Sequence, residues 1–441
     1  MFKTLRNAWF IPDLRKKLIF TVMILLVYRI GSAIPVPFVD FKMMTDYFNE
    51  SLSDTILGLY NAMSGSAFSQ ASVLSLGIQP YINASIIVQL LTVAIPALER
   101  MAKEQGEIGK KKIERITRYT TVGIALLLGF AYYTMINSAD YNILLTTGLP
   151  EILRAVVIIL SFAAGACIVM WLGEQINEHG IGNGISVILF ANIIAGFPSM
   201  IGTMYKGLTT GVYIQTREGQ QMAMFQWWQV AIICVLLLLV TVFIIFVNDA
   251  ERRIPIQYAK RVVGRKVYGG QSTNLPIKVS MSGVMPVIFA SSIVSVPATI
   301  CTFLGKKGDW YWNVFHQTSW YYLVAYGLLI FFFSWFYSTI QYDPTEISNN
   351  LKKNGGFIPG FRPGKPTADF IKKVINKILI FGAVYLAVVS MLPMIGNIFI
   401  EASQALAIGG TSVIIVVGVA LETVKSLEAQ MMMRHYKGFL D

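Results

Sequence analysis

The stretch GIQPYINASIIVQLL, Gly77–Leu91, has the length and hydrophobicity of a membrane-crossing helix but contains features that lipid-facing helices avoid. Pro80 lies near its start, and proline has no backbone N–H to donate to a helix. Asn83, Ser85 and Gln89 place polar side chains among aliphatic ones. Polar groups inside a membrane are tolerated where they contact protein or water. The stretch therefore predicts a membrane helix with neighbours other than lipid.

The rest of the chain has the composition of an integral membrane protein. Its 441 residues are 55% hydrophobic and only 14% charged, with a mean hydropathy of +0.59. A soluble domain of this size could not bury so much apolar surface. We predict an all-α polytopic protein, because apolar runs of about 20 residues, enough to cross the hydrocarbon core, recur in ten places. These runs lie near 18–37, 74–96, 118–138, 152–172, 184–203, 228–247, 283–304, 320–340, 376–395 and 404–424.

Lysine and arginine are concentrated in alternate connecting segments. If the N-terminus is cytoplasmic, the inner segments contain 27 of these residues and the outer segments contain 5. Because cytoplasmic loops of membrane proteins carry an excess of Lys and Arg, both termini are predicted to be cytoplasmic. The first apolar run follows Arg15, Lys16 and Lys17 and is long enough to remain as a span, so we expect no cleaved signal peptide.

Residue types that carry catalysis or bind metals are few and scattered. The three histidines lie in separate predicted loops, outside any H-E-x-x-H pattern: His179, His316 and His435. Cys167, Cys234 and Cys301 fall in different predicted spans, as is typical of small packing residues. We therefore expect no catalytic residue, no metal and no cofactor, and a membrane-embedded enzyme is disfavoured.

The spans also lack the central carboxylates that mark ion-coupled transporters. Acidic residues such as Glu174 and Glu422 lie in loops or near the ends of spans. Arg29 is the one clearly intramembrane charge, and its place late in the first span lets its long side chain reach outward. A pore with an uncharged, aliphatic lining fits this pattern. The alternative is an ion-coupled secondary transporter for a small solute.

Two short sequences recur at equivalent places when the ten spans are divided into five plus five. Pro80–Val88 and Pro286–Val294 match at six of nine positions, and Gly184–Leu189 and Gly410–Ile415 match at four of six. Because five is odd, the second half must cross the membrane in the opposite sense. We predict two inverted halves, residues 1–205 and 206–441, since such repeats enclose a pathway at their interface.

The repeat pairs particular aliphatic side chains. It aligns Ile82 with Ile288 and Leu189 with Ile415. Ile78 lies four residues before Ile82, as Ile185 does before Leu189, so each pair stacks on one helix face. For any single member, lipid contact or helix packing is the simpler interpretation. The more specific hypothesis is a narrow aliphatic ring that closes a water-filled path by dewetting.

Four longer stretches occur in order along the chain: SVLSLGIQPYINASIIVQLL (Ser72–Leu91), EHGIGNGIS (Glu178–Ser186), YAKRVVGRKVYGGQSTNLP (Tyr258–Pro276) and GFIPGFRPG (Gly356–Gly364). Together they resemble the SecY family, the channel subunits of the bacterial protein-conducting translocon, over essentially the full chain. The resemblance implies an hourglass channel between two five-helix halves in the bacterial inner membrane. It also implies that six aliphatic residues, here called the aliphatic ring, close the channel midway: Ile78, Ile82, Ile185, Leu189, Ile288 and Ile415.

The resemblance implies two moving parts beside the ring. A plug, expected as a short helix on the outer side of the ring, corresponds to residues 61–72, the plug segment: Asn61, Ala62, Met63, Ser64, Gly65, Ser66, Ala67, Phe68, Ser69, Gln70, Ala71 and Ser72. A lateral gate opens between the second and seventh spans, where Asn83 and Val296 are expected to face each other. The family often has a bulkier or polar residue at the position of Val296.

The resemblance further implies docking by the basic cytoplasmic loops, 248–282 and 341–375. Lys260, Arg261, Arg265 and Lys266 are expected to contact ribosomal RNA, since phosphate contacts attract basic side chains. Arg362 matches an arginine that the family requires for the SecA motor. Topology alone explains basic loops in most membrane proteins. These loops are longer and richer in Gly and Pro than topology needs, which favours docking.

The predicted function is thus a passive protein-conducting channel that hydrolyses nothing. Energy is expected from the SecA ATPase, the translating ribosome or the membrane potential. The other partners that the resemblance implies are SecE, SecG, signal sequences, nascent polypeptides and membrane lipid.

Overall fold

The structure of the protein is a computed structural model. It describes residues 2–49, 56–103, 106–137, 143–145, 150–216, 219–258, 261–263, 266–268, 272–281, 283–303, 314, 319–399 and 410–437. Among the sequence predictions, Lys260, Arg265, His316 and residues 404–409 of the tenth span lie outside the described residues.

Helices dominate both halves of the chain. The helices up to residue 209 are α1 (Phe2–Phe10), α2 (Pro12–Gly31), α3 (Phe41–Tyr47), α4 (Ile56–Met63), α5 (Gln79–Ala94), α6 (Pro96–Lys103), α7 (Gly106–Asn137), α8 (Glu151–His179) and α9 (Gly184–Thr209). Those that follow are α10 (Trp227–Asp249), α11 (Met285–Phe303), α12 (Trp320–Gln341), α13 (Pro344–Lys353), α14 (Lys365–Phe399) and α15 (Gly410–Lys437).

Each of the ten predicted spans overlaps one of the longer helices. Within the described residues, six helical segments are long and apolar enough to cross a membrane by length and composition alone: those containing α7, α8, α9, α10, α12 and α14. The others include α2, which begins among several charged residues, and α5, which has only 16 residues. The chain is therefore a multi-pass membrane protein in which some spans depend on their protein neighbours.

The first two spans differ in their bounds from the prediction, and the local sequence explains both differences. The span predicted at 18–37 is a helix only to Gly31, since Pro35 and Pro37 cannot extend it. The span predicted at 74–96 becomes helical only at Gln79. Gly77 has φ +54°, a left-handed conformation that precedes the helix. Pro80 lies in the first turn of α5, where the missing N–H costs no helical hydrogen bond.

The two sequence repeats coincide with the starts of four helices. α5 and α11 each begin one residue before the repeated proline, Pro80 or Pro286. α9 and α15 begin on the repeated glycine, Gly184 or Gly410. Ile82 and Ile288 are consequently each the fourth residue of their helix, and Leu189 and Ile415 are each the sixth. Residues paired by the repeat therefore occupy equivalent positions at the starts of their helices in the two halves.

The part of the chain that the structure describes also contains seven short strands: β1 (Val212–Thr216), β2 (Gly219–Ala223), β3 (Glu251–Tyr258), β4 (Arg261–Val263), β5 (Lys266–Tyr268), β6 (Ser272–Lys278) and β7 (Gly356–Phe357). β3 pairs antiparallel with β6, and β7 adds to its other edge through the pair Gln257 and Phe357. Ile254, Ile256 and Ile277 of this sheet pack in one cluster with Ile358 and residues of α14. The two basic loops therefore share one sheet and one small hydrophobic core.

Candidate functional site

The predicted aliphatic ring lies within the largest hydrophobic cluster of the described residues. Five members are at most 5% exposed, and Ile185 is partly buried and packs against them. The five buried members are Ile78, Ile82, Leu189, Ile288 and Ile415. Ile78 directly precedes α5, and the other four lie in the first two turns of α5, α9, α11 and α15. The structure thus brings together side chains that are separated by more than 300 positions in sequence.

Local hydrogen bonds fix the two stacked pairs of the ring. The backbone N–H of Ile82 donates to the carbonyl of Ile78, 3.1 Å away, so the two residues follow one helical turn. Asn183 caps α9 by accepting from the backbone N–H of Ile185 at 3.1 Å. Asn177 accepts from the backbone N–H of Gly184 at 2.7 Å. These two asparagines satisfy donors that the start of a helix leaves open.

The plug segment is not the separate short helix that we expected. Its first residues finish α4, which ends at Met63, and turns form the remainder. Gly65, Ser66 and Ala71 have positive φ values of 65°, 70° and 46°, which a right-handed helix cannot contain. Internal bonds close the turns, as where Asn61 Oδ1 accepts from the Ser69 N–H at 2.9 Å.

Apolar side chains attach the plug segment to two clusters. Met63 belongs to the same cluster as the aliphatic ring. Phe68 belongs to a second cluster in the first half of the chain, where its ring meets that of Tyr132 edge-on at 4.6 Å. The Tyr132 hydroxyl also donates to the carbonyl of Phe68 at 2.6 Å. The segment therefore shares one hydrophobic cluster with the ring and contacts α7 through Phe68.

Polar side chains from two spans also bind the plug segment, a feature that sequence reasoning missed. Arg29 Nη1 on α2 donates to the carbonyl of Gly65 at 2.8 Å. Asn192 Nδ2 on α9 donates to the carbonyl of Met63 at 2.8 Å and to the Tyr28 hydroxyl at 2.9 Å. Two features of the sequence could have indicated these contacts: the intramembrane charge of Arg29 and the polar side chain of Asn192 in a mostly apolar span. The sequence suggested only that Arg29 reaches outward.

The seam between α5 and α11 is the place predicted for a lateral gate. α11 contacts α4, α5 and α7. Asn83 is partly buried on α5, and Val296 is 43% exposed on α11. The opposition of these two residues across the seam stays a prediction. Sequence reasoning missed the Tyr60 hydroxyl, which lies 3.2 Å from Ser295 Oγ and links α4 to α11 beside this seam.

Of the predicted docking residues, Arg261, Lys266 and Arg362 lie within the described part of the chain. Arg261 begins β4 and Lys266 begins β5, and the two strands pair antiparallel. Arg362 is exposed. Its carbonyl accepts from Thr367 Oγ1 at 2.8 Å, and the neighbouring Phe361 stacks on Phe370 with ring centroids 4.3 Å apart. The backbone that presents Arg362 is therefore fixed against α14.

Two ion pairs join neighbouring membrane-spanning helices near their ends. Glu174 on α8 accepts from Arg118 Nε on α7 at 2.7 Å. Lys425 on α15 lies 2.6 Å from Asp249 at the end of α10. Within the described part of the chain, no group of three or more His, Cys, Asp or Glu side chains is placed to hold a metal ion.

Curated relatives match the chain along its full length. A sequence profile described as SecY matches residues 72–424. A protein translocase subunit SecY from Streptomyces galbus is 43% identical, with 100% of each chain covered. Another from Thermotoga maritima is 42% identical, covering 100% of this chain and 98% of the relative.

Solved structures show the same fold at lower identity. A structure described as a protein conducting channel has a TM-score of 0.61 at 17% identity, covering 95% of this chain and 92% of its own. Sec61 in a canine ribosome-channel complex has a TM-score of 0.58 at 16% identity, with the same coverage. The predicted fold class is confirmed: ten transmembrane helices in two inverted five-helix halves around a central hourglass pore. From this profile and these full-length identities, the chain belongs to the SecY family of protein translocase subunits.

Proposed function

We propose that the aliphatic ring is the closed constriction of a protein-conducting channel that moves secretory polypeptides across the cytoplasmic membrane. One observation carries this proposal: equivalent starts of repeated helices supply buried aliphatic side chains to one cluster, with the plug segment packed on it. A small-solute transporter would need a polar or charged substrate site near the middle of its spans. The ring supplies only aliphatic surface, and family membership gives the transporter no support.

The aliphatic ring would seal by excluding water. A narrow aliphatic constriction dewets, so ions would lose their hydration in crossing it. Such side chains make no directional bonds with one another. The ring could therefore widen around a polypeptide of any sequence and close again behind it, with α5 and α11 separating to release membrane segments sideways to lipid.

The chain would act as a passive conduit in the bacterial inner membrane. The excess of Lys and Arg in alternate segments supports cytoplasmic termini. SecA, the translating ribosome or the membrane potential would supply the energy, so the chain itself would be no enzyme. The similar Sec61 structure is described in a ribosome-channel complex, which supports a ribosome as partner. SecE would clamp the two halves, and SecG would complete the translocon.

The basic loops would form the cytoplasmic docking surface. Residues 248–282 and 341–375 contribute strands to one sheet, so a partner could contact both loops at once. Lys260, Arg261, Arg265 and Lys266 would contact phosphates of ribosomal RNA. Arg362, held on a fixed turn, would engage SecA.

Site-specific crosslinking to an arrested secretory chain tests the channel proposal. A photoreactive amino acid would replace, one at a time, Ile82, Leu189, Ile288 and Ile415. Leu238 and Leu328, each 67% exposed on α10 and α12, are matched controls that would face lipid. We expect crosslinks to the polypeptide from the four ring positions and to lipid from the two controls. Crosslinks to lipid alone from the ring positions would contradict the proposal.

A further inference from the structure

We infer that Arg29 and Asn192 form a polar clamp that holds the plug segment on the aliphatic ring through two backbone carbonyls. The clamp would determine how often the segment leaves the ring while no polypeptide is in transit. This inference rests on the proposed channel function, because it assigns the closed state of that channel to two side chains outside the plug segment.

The clamp residues come from two helices that are far apart in sequence. Arg29 lies on α2 and Asn192 on α9, and each reaches a carbonyl of the plug segment at 2.8 Å. The acceptors, the carbonyls of Met63 and Gly65, stand where α4 ends. Carbonyls at the end of a helix have no helical partner. The two side chains therefore satisfy acceptors that would otherwise need water beside an aliphatic cluster.

A further hydrogen bond fixes the orientation of Asn192. The Asn192 side chain is buried, at 2% exposure, and its Nδ2 also donates to the hydroxyl of Tyr28, which is 1% exposed. An amide nitrogen has two hydrogens, so these two bonds use both of them. Tyr28 precedes Arg29 on α2, so the two halves of the clamp are joined to each other.

Gly65 lets the plug segment approach both clamp residues closely. Its φ of +65° is left-handed, which favours glycine. A Cβ at this position would lie 2.9 Å from Arg29 Nη1 and 3.1 Å from Asn192 Oδ1. The absence of a side chain therefore lets the backbone approach both clamp residues closely.

The chemistry of the clamp suits a reversible attachment. Because the acceptors are backbone carbonyls, binding depends on the shape of the plug segment and little on its side chains. A hydrogen bond from a charged donor is stronger than one between neutral groups. Arg29 is also exposed, so protein does not fully enclose its side chain while it binds the segment. The clamp can thus bind firmly and still release.

The test measures exposure of the plug segment in the full-length chain in its native membrane. Cys167, Cys234 and Cys301 would be replaced by Ser, and Ser69→Cys would add a nearly isosteric reporter at a position that is 6% exposed. A water-soluble maleimide then reports how often the thiol at position 69, the plug reporter, becomes accessible. A second substitution, Ser390→Cys on α14 at 0% exposure, supplies a core reporter that monitors the folded state.

We expect Arg29→Gln and Asn192→Leu each to raise the alkylation rate of the plug reporter about tenfold, since each removes a partly or fully buried hydrogen bond. Alkylation of the core reporter should not change. Thr209→Val, at an exposed site on the same helix as Asn192, should leave both rates at the parent value. The inference would be overturned by an unchanged rate at the plug reporter in both variants. A parallel rise at both reporters would overturn it too, because the contacts would then support the whole fold.

The same variants separate the clamp from the channel proposal. Alkylation requires no transported polypeptide, so it decides the clamp by itself. A rise at the plug reporter without any rise in ion leak would support the clamp and would leave the aliphatic ring as the seal of the closed channel. An unchanged rate at the plug reporter, with ring positions still crosslinking to an arrested chain, would overturn the clamp and support the channel.

Discussion

In the proposed channel, single side chains of the aliphatic ring would decide whether water enters the constriction. Ile82 is 5% exposed and Ile288 is 4% exposed, and both lie in the cluster that contains the aliphatic ring. Each is the fourth residue of a helix that begins beside a proline, so the backbone fixes where it points. A polar atom here would meet aliphatic neighbours when the ring is closed. Water would then gain a partner inside the constriction.

We therefore expect Ile82→Asn and Ile288→Asn to increase ion leakage through the closed channel. Burying an unpartnered amide costs about 1–3 kcal/mol, and that cost favours hydrated states of the ring by roughly fivefold or more. Single-channel recording in planar bilayers measures the leak. Ile87→Asn is the matched control, because Ile87 lies on the same helix but is 43% exposed. Equal conductance of Ile82→Asn, Ile288→Asn and the parent would refute the ring.

The sequence indicated the helix positions of Ile82 and Ile288, but it did not indicate the hydrogen bonds that hold the neighbouring plug segment. The repeat around Pro80 and Pro286 aligned Ile82 with Ile288, and each is the fourth residue of its helix because repeated local sequence forms repeated local structure. The bond from Asn192 to Met63 joins residues 129 positions apart, and that from Arg29 to Gly65 joins residues 36 apart. No local pattern contains such pairings, since they depend on how whole helices pack.

The sequence predicted the membrane-spanning helices well, because long apolar runs identify them. It predicted helix starts and the plug segment less well, because turns determine the backbone there. All ten spans overlap helices, but α5 starts at Gln79 and not near residue 74. The plug segment was expected to be helical, yet positive φ values at Gly65, Ser66 and Ala71 turn the chain after α4. Serine and alanine rarely adopt such values, so composition alone could not indicate these turns.

The turn after β7 is an element built to present one charge. β7 pairs with β3, and Phe361 stacks on Phe370 of α14, so both sides of the turn are anchored. Gly360 and Gly364 have φ values of +88° and +107°, which let the chain reverse closely around Arg362. The side chain of Arg362 is exposed and is thus available to a partner.

We expect Arg362→Glu to reduce SecA-driven export by about tenfold or more without unfolding the chain, because charge reversal turns an attractive contact into a repulsive one. ATP-driven translocation into inverted membrane vesicles measures export, and thermal unfolding checks the fold. Lys110→Glu reverses an exposed charge on α7, outside both docking loops, and is the control. Export by Arg362→Glu at the rate of the control would rule out the proposed role of the turn.

At the scale of the molecule, the two inverted halves must hold together yet separate on demand. α4 and α5 of the first half contact α11 of the second. Buried serines line α11 near this contact, and two of them bond within the helix: Ser291 to the carbonyl of Ile288 and Ser295 to that of Ser292. Small side chains let helices approach closely without the extensive interlocking of large ones. The seam is thus suited to reversible opening.

The hydroxyl of Tyr60 is 3.2 Å from Ser295 Oγ and joins the two halves beside this seam. Removing it by Tyr60→Phe keeps the aromatic packing and deletes about 1 kcal/mol of polar contact, which shifts the balance toward an open seam by about fivefold. We expect export of a precursor with a weakened signal sequence to rise by that factor, as measured by the fraction processed in cells. Tyr205→Phe, at a tyrosine that is 69% exposed on α9, is the control. If Tyr60→Phe exports the weakened precursor no better than Tyr205→Phe, the contact does not restrain the seam, and closure must depend on the ring and the polar clamp.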